Sequence, residues 1–305
     1  MRKFMLFLVL CVLSATTLAE SKLTVHKVDT NIYALVGELS QRSPSNLGNN
    51  STHGVIVTEE GVVLVDSGAS YLGAKQIHET IQTLTDKPVK IVINSGGQDH
   101  RWLGNDYFKK QGAKIISSTA AKTDHQTRAD QQLVSLENLI GNSLKGTEPA
   151  FASMTFSDEM TLTFGGVNLE LYYIGPAHTP GDILIWLPDQ QIMFSGDVVY
   201  NNRMLGIGPA RNSQSWMKVF EKMASFKPKH IIPGHGDPSG LETATKNTYE
   251  YLKFIRAEVG KILENDGDMI EAGKIDQSKY HYLVNHESIA GRNALWVFEQ
   301  MEFDD

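Results

Sequence analysis

The chain has 305 residues, 41% hydrophobic and 21% charged, with a formal charge of -7 at pH 7. That is ordinary globular composition with enough apolar material for a large core, and it shows no repeat, heptad array or low-complexity tract. The acidic balance, with no basic cluster to track a phosphate backbone, argues against nucleic acid as a partner.

Taken in order, Arg2 and Lys3 precede an apolar run from Phe4 to Leu13, and Thr17-Leu18-Ala19 ends in a small residue before Glu20. This is the pattern of a signal peptide, residues 1–19, cleaved after Ala19 and too short for a comfortable membrane span. The expectation is a periplasmic or secreted protein, residues 20–305, with no stable membrane insertion after cleavage. Cys11 is the only cysteine and falls in the leader, so a metal has to be held by His, Asp or Glu.

Residues 23–36 read as two short strands, and 37–52, rich in Ser, Asn and Gly, as a surface loop. Residues 54–66 read as a hairpin around Glu59-Glu60-Gly61. Leu72, Ile77, Ile81 and Leu84 give 71–84 helical spacing. Val89 to Asn94 is a compact strand, 102–110 is helical, Lys114 to Ser117 is a strand and 119–144 is mostly helical. Strands follow at 160–164 and 167–174 around Gly165-Gly166, and at 183–187 and 191–195 around Pro188-Asp189. A helix at 213–226 leads to a strand at 230–233, and the chain is largely helical from Leu241. Strands and helices alternate in two successive halves, with hairpins mixed among crossover helices. The fold class is therefore α/β, with two mixed sheets and helices outside. Residues 20–305 read as one domain, with 241–305 as a helical appendage.

Four apolar strands run into Gly-rich turns that carry His or Asp. They are Ile91 to His100 with Asp99, Leu171 to Asp182 with His178, Ile192 to Asp197, and Ile231 to Asp237 with His235. Strand ends on one sheet edge converge, and a borderline cation needs several such groups from separate segments. One histidine in a loop is ordinarily a surface or hydrogen-bonded residue, as His26, His78, His125, His230, His281 and His286 are read here. Four strand-end turns in one chain fit that reading poorly.

In this order, Val65-Asp66-Ser67-Gly68, His178-Thr-Pro-Gly-Asp182, Phe194-Ser-Gly-Asp197 and Pro233-Gly-His235-Gly resemble the metallo-β-lactamase superfamily. The likeness covers nearly all of residues 20–305. The stretch 178–235 looks more like the exported or quinoprotein-associated hydrolases of that superfamily than like its antibiotic-degrading members. The resemblance implies an αββα four-layer sandwich of two mixed β-sheets flanked by helices, with a metal site at one edge. The family's His-x-His-x-Asp-His signature is degenerate here. Ser95-Gly96-Gly97-Gln98-Asp99-His100 puts Ser95 and Gly97 where the first two histidines belong.

The resemblance implies a second-metal position made of Asp99, His100, Asp197 and His235, with His178 as a further ligand, a proton donor or an oxyanion partner. One Zn²⁺ per chain is expected, with Mn²⁺ or Fe²⁺ as alternatives. Asp99 and His178 are the expected catalytic residues. Asp182 is expected to support a histidine or its loop, and Asp66 to be a buried structural carboxylate. Arg203 and Asn202, on the segment after Asp197, are expected at the substrate, with Arg203 binding an anionic group. His53 is a candidate substitute ligand. The implied activity is metal-dependent hydrolysis of an ester, thioester, lactone or amide-type bond in a small molecule. The alternatives are a pseudoenzyme with a binding or accessory role and, third, a redox or oxygen-dependent enzyme.

Overall fold

The structure is a computed structural model that describes residues 22–209 and 211–303; residues 1–19, expected to be a signal peptide, and Cys11 among them, lie outside the described residues. The first sheet contains β1 (Thr24–Asp29), β2 (Ile32–Val36), β3 (Thr52–Val57), β4 (Val62–Val65), β5 (Val89–Ile93), β6 (Lys114–Ser118) and β7 (Met154–Phe156), in that spatial order. Pairing is antiparallel from β1 to β4 and parallel from β4 to β7. The second sheet contains β8 (Glu159–Phe164), β9 (Val167–Tyr172), β10 (Leu184–Leu187), β11 (Ile192–Tyr200) and β12 (His230–His235), in the order β12-β11-β10-β9-β8. Only β11 and β12 are parallel there.

Parallel neighbours need crossovers, and helices supply them. They are α1 (Tyr71–Gln82), α2 (Asp99–Trp102) with α3 (Asn105–Lys110), α4 (Thr119–Ile140) and α5 (Ser213–Ser225). Helix α1 begins where the Ser70 side chain accepts from Gly73 N, which satisfies one of the free amides of the first turn. It buries Ala74, Ile77 and Ile81, spaced to form a single stripe. Helix α5 does the same with Trp216, Val219, Phe220 and Met223 beyond an Asn212 cap.

The core lies in three layers. Val63, Val65, Ile91 and Ile93 of the first sheet meet Leu171, Ile185, Ile192 and Phe194 of the second. Outside the first sheet, Ile77 and Ile81 pack with Phe108. Outside the second, α5 packs with Tyr251, Leu252 and Ile255 of α7 (Glu250–Glu264) and Val297 and Phe298 of α9 (His286–Glu302). Each such side chain contributes about 1.5–3 kcal/mol by leaving water. Two further short helices, α6 (Leu241–Ala244) and α8 (Met269–Ala272), flank α7. No described helix is long and apolar enough to cross a membrane.

Several details differ from the sequence reading. The segment 37–52, expected as a surface loop, is buried from Asn46 to Thr52. Strand β7 is an addition, a three-residue edge strand. The helix expected from 102 starts at Asp99 and breaks at Gly104, whose N–H is taken by Gly68 O at 2.9 Å. Strand β11 continues through Ser195-Gly196-Asp197 to Tyr200, because Gly196 takes φ 49° and shifts the register against β12 without ending the strand.

Candidate metal centre

The bulge at Gly196 turns Asp197 toward the end of the sandwich where β5 and β12 also finish. His100 comes from the turn of helix after β5, and His235 is the last residue of β12. Buried ligand atoms of His100, Asp197 and His235 lie within 4.8 Å of one another. His100 Nε2 is 3.2 Å from Asp197 Oδ2, and His235 Nε2 is 3.3 Å from Asp197 Oδ1. Neighbouring ligands around a tetrahedral ion with bonds of about 2.0 Å are about 3.3 Å apart, so the trio fits a small divalent cation. His235 Nδ1 donates to the Asn50 carbonyl at 2.8 Å, which fixes the tautomer with Nε2 free. Burial holds the His235 ring neutral, its pKa well below the ordinary value.

His100 is oriented differently. Its Nδ1 lies 2.6 Å from an Arg42 guanidinium nitrogen and 3.1 Å from Asp99 Oδ1. A guanidinium only donates, so Nδ1 accepts and the ring proton sits on Nε2, facing Asp197. The tautomer a metal needs has its proton on Nδ1, directed at Asp99. Asp99 itself lies outside the trio, paired with Arg42. Burial alone would raise the Asp99 pKa, but the Arg42 charge and His100 bring it well below the ordinary value.

Beneath the trio lies Arg101, fully buried. Its Nε and one terminal nitrogen donate to the two oxygens of Asp197 at 3.1 and 2.7 Å. The remaining hydrogens go to Asp66 Oδ2 at 2.9 Å, Thr52 O at 3.1 Å and Gly234 O at 2.7 Å. All five N–H groups are used. Gly234 permits this approach, because a Cβ there would stand 2.6 Å from both Arg101 and Asp197. Burial opposes ionisation of Asp197, but Arg101, His100 and His178 hold its pKa well below the ordinary value. Asp66 also accepts from Ser95 N and Ser95 Oγ, both at 2.7 Å.

The space beside Gly97 is filled. A Cβ there would collide with Asp124, which Arg128 holds in an ion pair. Gln132 donates to Gly97 O at 2.8 Å and accepts from Trp102 Nε1 at 2.9 Å. With Ser95 tied to Asp66, neither position leaves a void.

His178 stands at the edge of the trio, its Nδ1 3.4 Å from Asp197 Oδ2 and its Nε2 3.1 Å from the Tyr200 hydroxyl. Burial first, and the Arg211 charge second, lower its pKa to about 3. Asp182 holds the turn and touches no histidine: Thr179 N and Oγ1 donate to it at 2.6 and 2.5 Å. Burial and then Asp197 raise the Asp182 pKa to about 7. Arg203 lines the cavity beside the trio and donates to Leu39 O and Ser40 O. The Asn202 side chain instead accepts from Asp237 N and does not line that cavity. His53 is hydrogen-bonded to Asp66 O and Ser51 and is not part of the trio.

The structure thus brings together three of the five expected ligands, sets His178 at their edge and gives Asp99 to Arg42. Sequence reasoning assigned no role to Arg101 or Arg42. The first was signalled only by its place after His100, and the second by being the sole arginine of a polar loop.

The sequence model of the metallo-beta-lactamase superfamily matches residues 48–235, more than half of the chain. The chain belongs to that superfamily. A metallo-beta-lactamase type 2 from Bacteroides fragilis is 33% identical over 91 residues, covering 28% of this chain and 36% of that protein. Metallo-beta-lactamase IND-1 from Chryseobacterium indologenes is 25% identical over 189 residues, 61% of this chain and 71% of that protein. Among solved structures, a metallo-beta-lactamase from Pontibacter korlensis aligns with TM-score 0.60 at 22% identity, over 76% of this chain and 99% of that one. A double mutant of the sec-alkyl sulfatase PisA1 aligns with TM-score 0.70 at 14% identity, over 92% and 50%. At these identities the structures establish the fold alone, the four-layer αββα sandwich.

Proposed function

We propose that the chain is an exported metal-dependent hydrolase that holds one divalent ion on His100, Asp197 and His235. The gathered trio carries this reading. Two imidazoles and a carboxylate suit Zn²⁺ first, and Mn²⁺ or Fe²⁺ next. The basic, apolar and small-residue pattern of residues 1–19 supports export. When bound, the ion supplies Lewis acidity and an acidified water. Around it, Asp99 accepts from His100 Nδ1 once Arg42 withdraws, and so frees Nε2. Tyr200 donates to His178 Nε2, leaving Nδ1–H beside Asp197. His178 stays neutral, so it serves as a hydrogen-bond donor to developing negative charge. The substrate is a small molecule with an ester, thioester, lactone or amide-type bond.

A second reading, an accessory binding protein without catalysis, is favoured by one observation. Arg101 already occupies both oxygens of Asp197, and Arg42 occupies Asp99 and His100. Metal analysis of protein purified without chelators separates the two. About one ion per chain, lost in His100→Ala/His235→Ala, together with turnover in a panel of those four bond types, supports the hydrolase. No ion after incubation with zinc, manganese or iron leaves the accessory reading.

A further inference from the structure

The cavity beside the trio has a volume of about 110 Å³. That is room for a few waters at about 30 Å³ each, and well below the roughly 300–1,000 Å³ of pockets that enclose drug-sized ligands. Among the described residues no aspartate or glutamate lines it, yet four arginines do: Arg42, Arg203, Arg211 and Arg292. They come from separate segments: the loop before β3, the segment after β11, the approach to α5, and α9. The chain as a whole is acidic, so the concentration is local.

The nearby carboxylates do not balance this charge. Asp99 is matched by Arg42 and Asp197 by Arg101. Among the described residues, Arg203, Arg211 and Arg292 have no carboxylate partner. Arg203 Nε and Arg211 Nε are buried without a hydrogen-bond acceptor. A guanidinium nitrogen buried without an acceptor is costly, and Arg203 and Arg211, with the exposed Arg292 beside them, have a common remedy in a ligand that carries acceptor oxygens.

We propose that Arg203, Arg211 and Arg292 form a binding site for a compact oxyanion, a phosphate, sulfate or carboxylate group carried by the substrate next to the bond at the trio. That the anion belongs to a substrate rests on the hydrolase reading; anion binding itself does not. Arg203 has a second task, since its bonds to Leu39 O and Ser40 O brace the loop that carries Arg42.

The test is calorimetric titration of the metal-stripped protein, and then of the zinc-loaded protein, with inorganic phosphate, sulfate and acetate, against chloride at matched ionic strength. Saturable binding of at least one of the three is expected. Arg211→Gln and Arg292→Gln should each weaken it about tenfold or more, and Arg211→Lys should recover part of the loss. Arg292 is exposed, so its variant reports binding without threatening the fold, and melting temperatures check the other. The preferred anion names the substrate class. No saturable binding, or binding indifferent to both glutamine variants, overturns the site even if neutral esters are hydrolysed. Anion binding in a protein that takes up no metal leaves the site standing and removes the hydrolase reading.

Discussion

The two sides of the strand-end cluster are built in opposite ways. On the α4 side, where the family's first two histidines would stand, Ser95 and Gly97 are sealed under Asp66, Asp124, Arg128 and Gln132. On the β12 side, His100, Asp197 and His235 converge beside an open cavity lined with arginine. Within the one segment 95–100, Ser95 and Gly97 are therefore packed as core while His100 faces the cavity. The sealed side is packed as core, and the open side still has the spacing of a coordination sphere.

The comparison breaks most severely at Arg101, which serves both sides. Arg101→Met would leave Asp66 and Asp197 buried without their cation, and stability should fall by about 3–5 kcal/mol, read by denaturant unfolding. Gly97→His tests the seal. The new side chain must displace Asp124, so a loss of about 1–3 kcal/mol is expected, with no second ion in metal analysis. A second ion with unchanged stability would show that the α4 side is open after all. Arg42→Ala tests the open side. Removing the donor at His100 Nδ1 should let that nitrogen turn its proton to Asp99, and zinc affinity should rise about tenfold in a chelator competition.

The smallest effect concerns His125, which packs on Trp102 behind Gly97 and contacts Gly96 O through Nε2 at 3.0 Å. Burial lowers its pKa from 6.5 to about 3. The unfolded chain therefore binds this proton more readily. The stability it contributes is complete above pH 6.5 and is lost as pH falls toward 3. Between pH 6.5 and 5.5 its share of the loss should be about 1 kcal/mol, and His125→Gln should make that part of the stability curve shallower by about that amount, leaving the shares of His178 and His235.

Most strands and long helices were legible because their apolar periods are strong: β3, β4, α1 and α5 fall close to where alternation and helical spacing put them. β11 was cut short because Ser195-Gly196-Asp197 has the composition of a turn, whereas a single bulge absorbs it. β7, three residues long, is too short to carry a period. At the site, His100, Asp197 and His235 were legible from strand-end position and family likeness. Arg42 and Arg101 were not, because a long side chain chooses its partner in space. Arg42 meets Asp99 across 57 positions, and Arg101 meets Asp197 across 96. No spacing rule reaches that far.

The trio draws one member from the first sheet's side and two from the second. A cation held there would be a clasp between the two halves of the sandwich, coupled to whether they stay together. Its grip would appear as resistance to heat, growing with the logarithm of metal concentration above the dissociation constant. A melting curve across a zinc series would then serve as an occupancy meter, before any substrate is known.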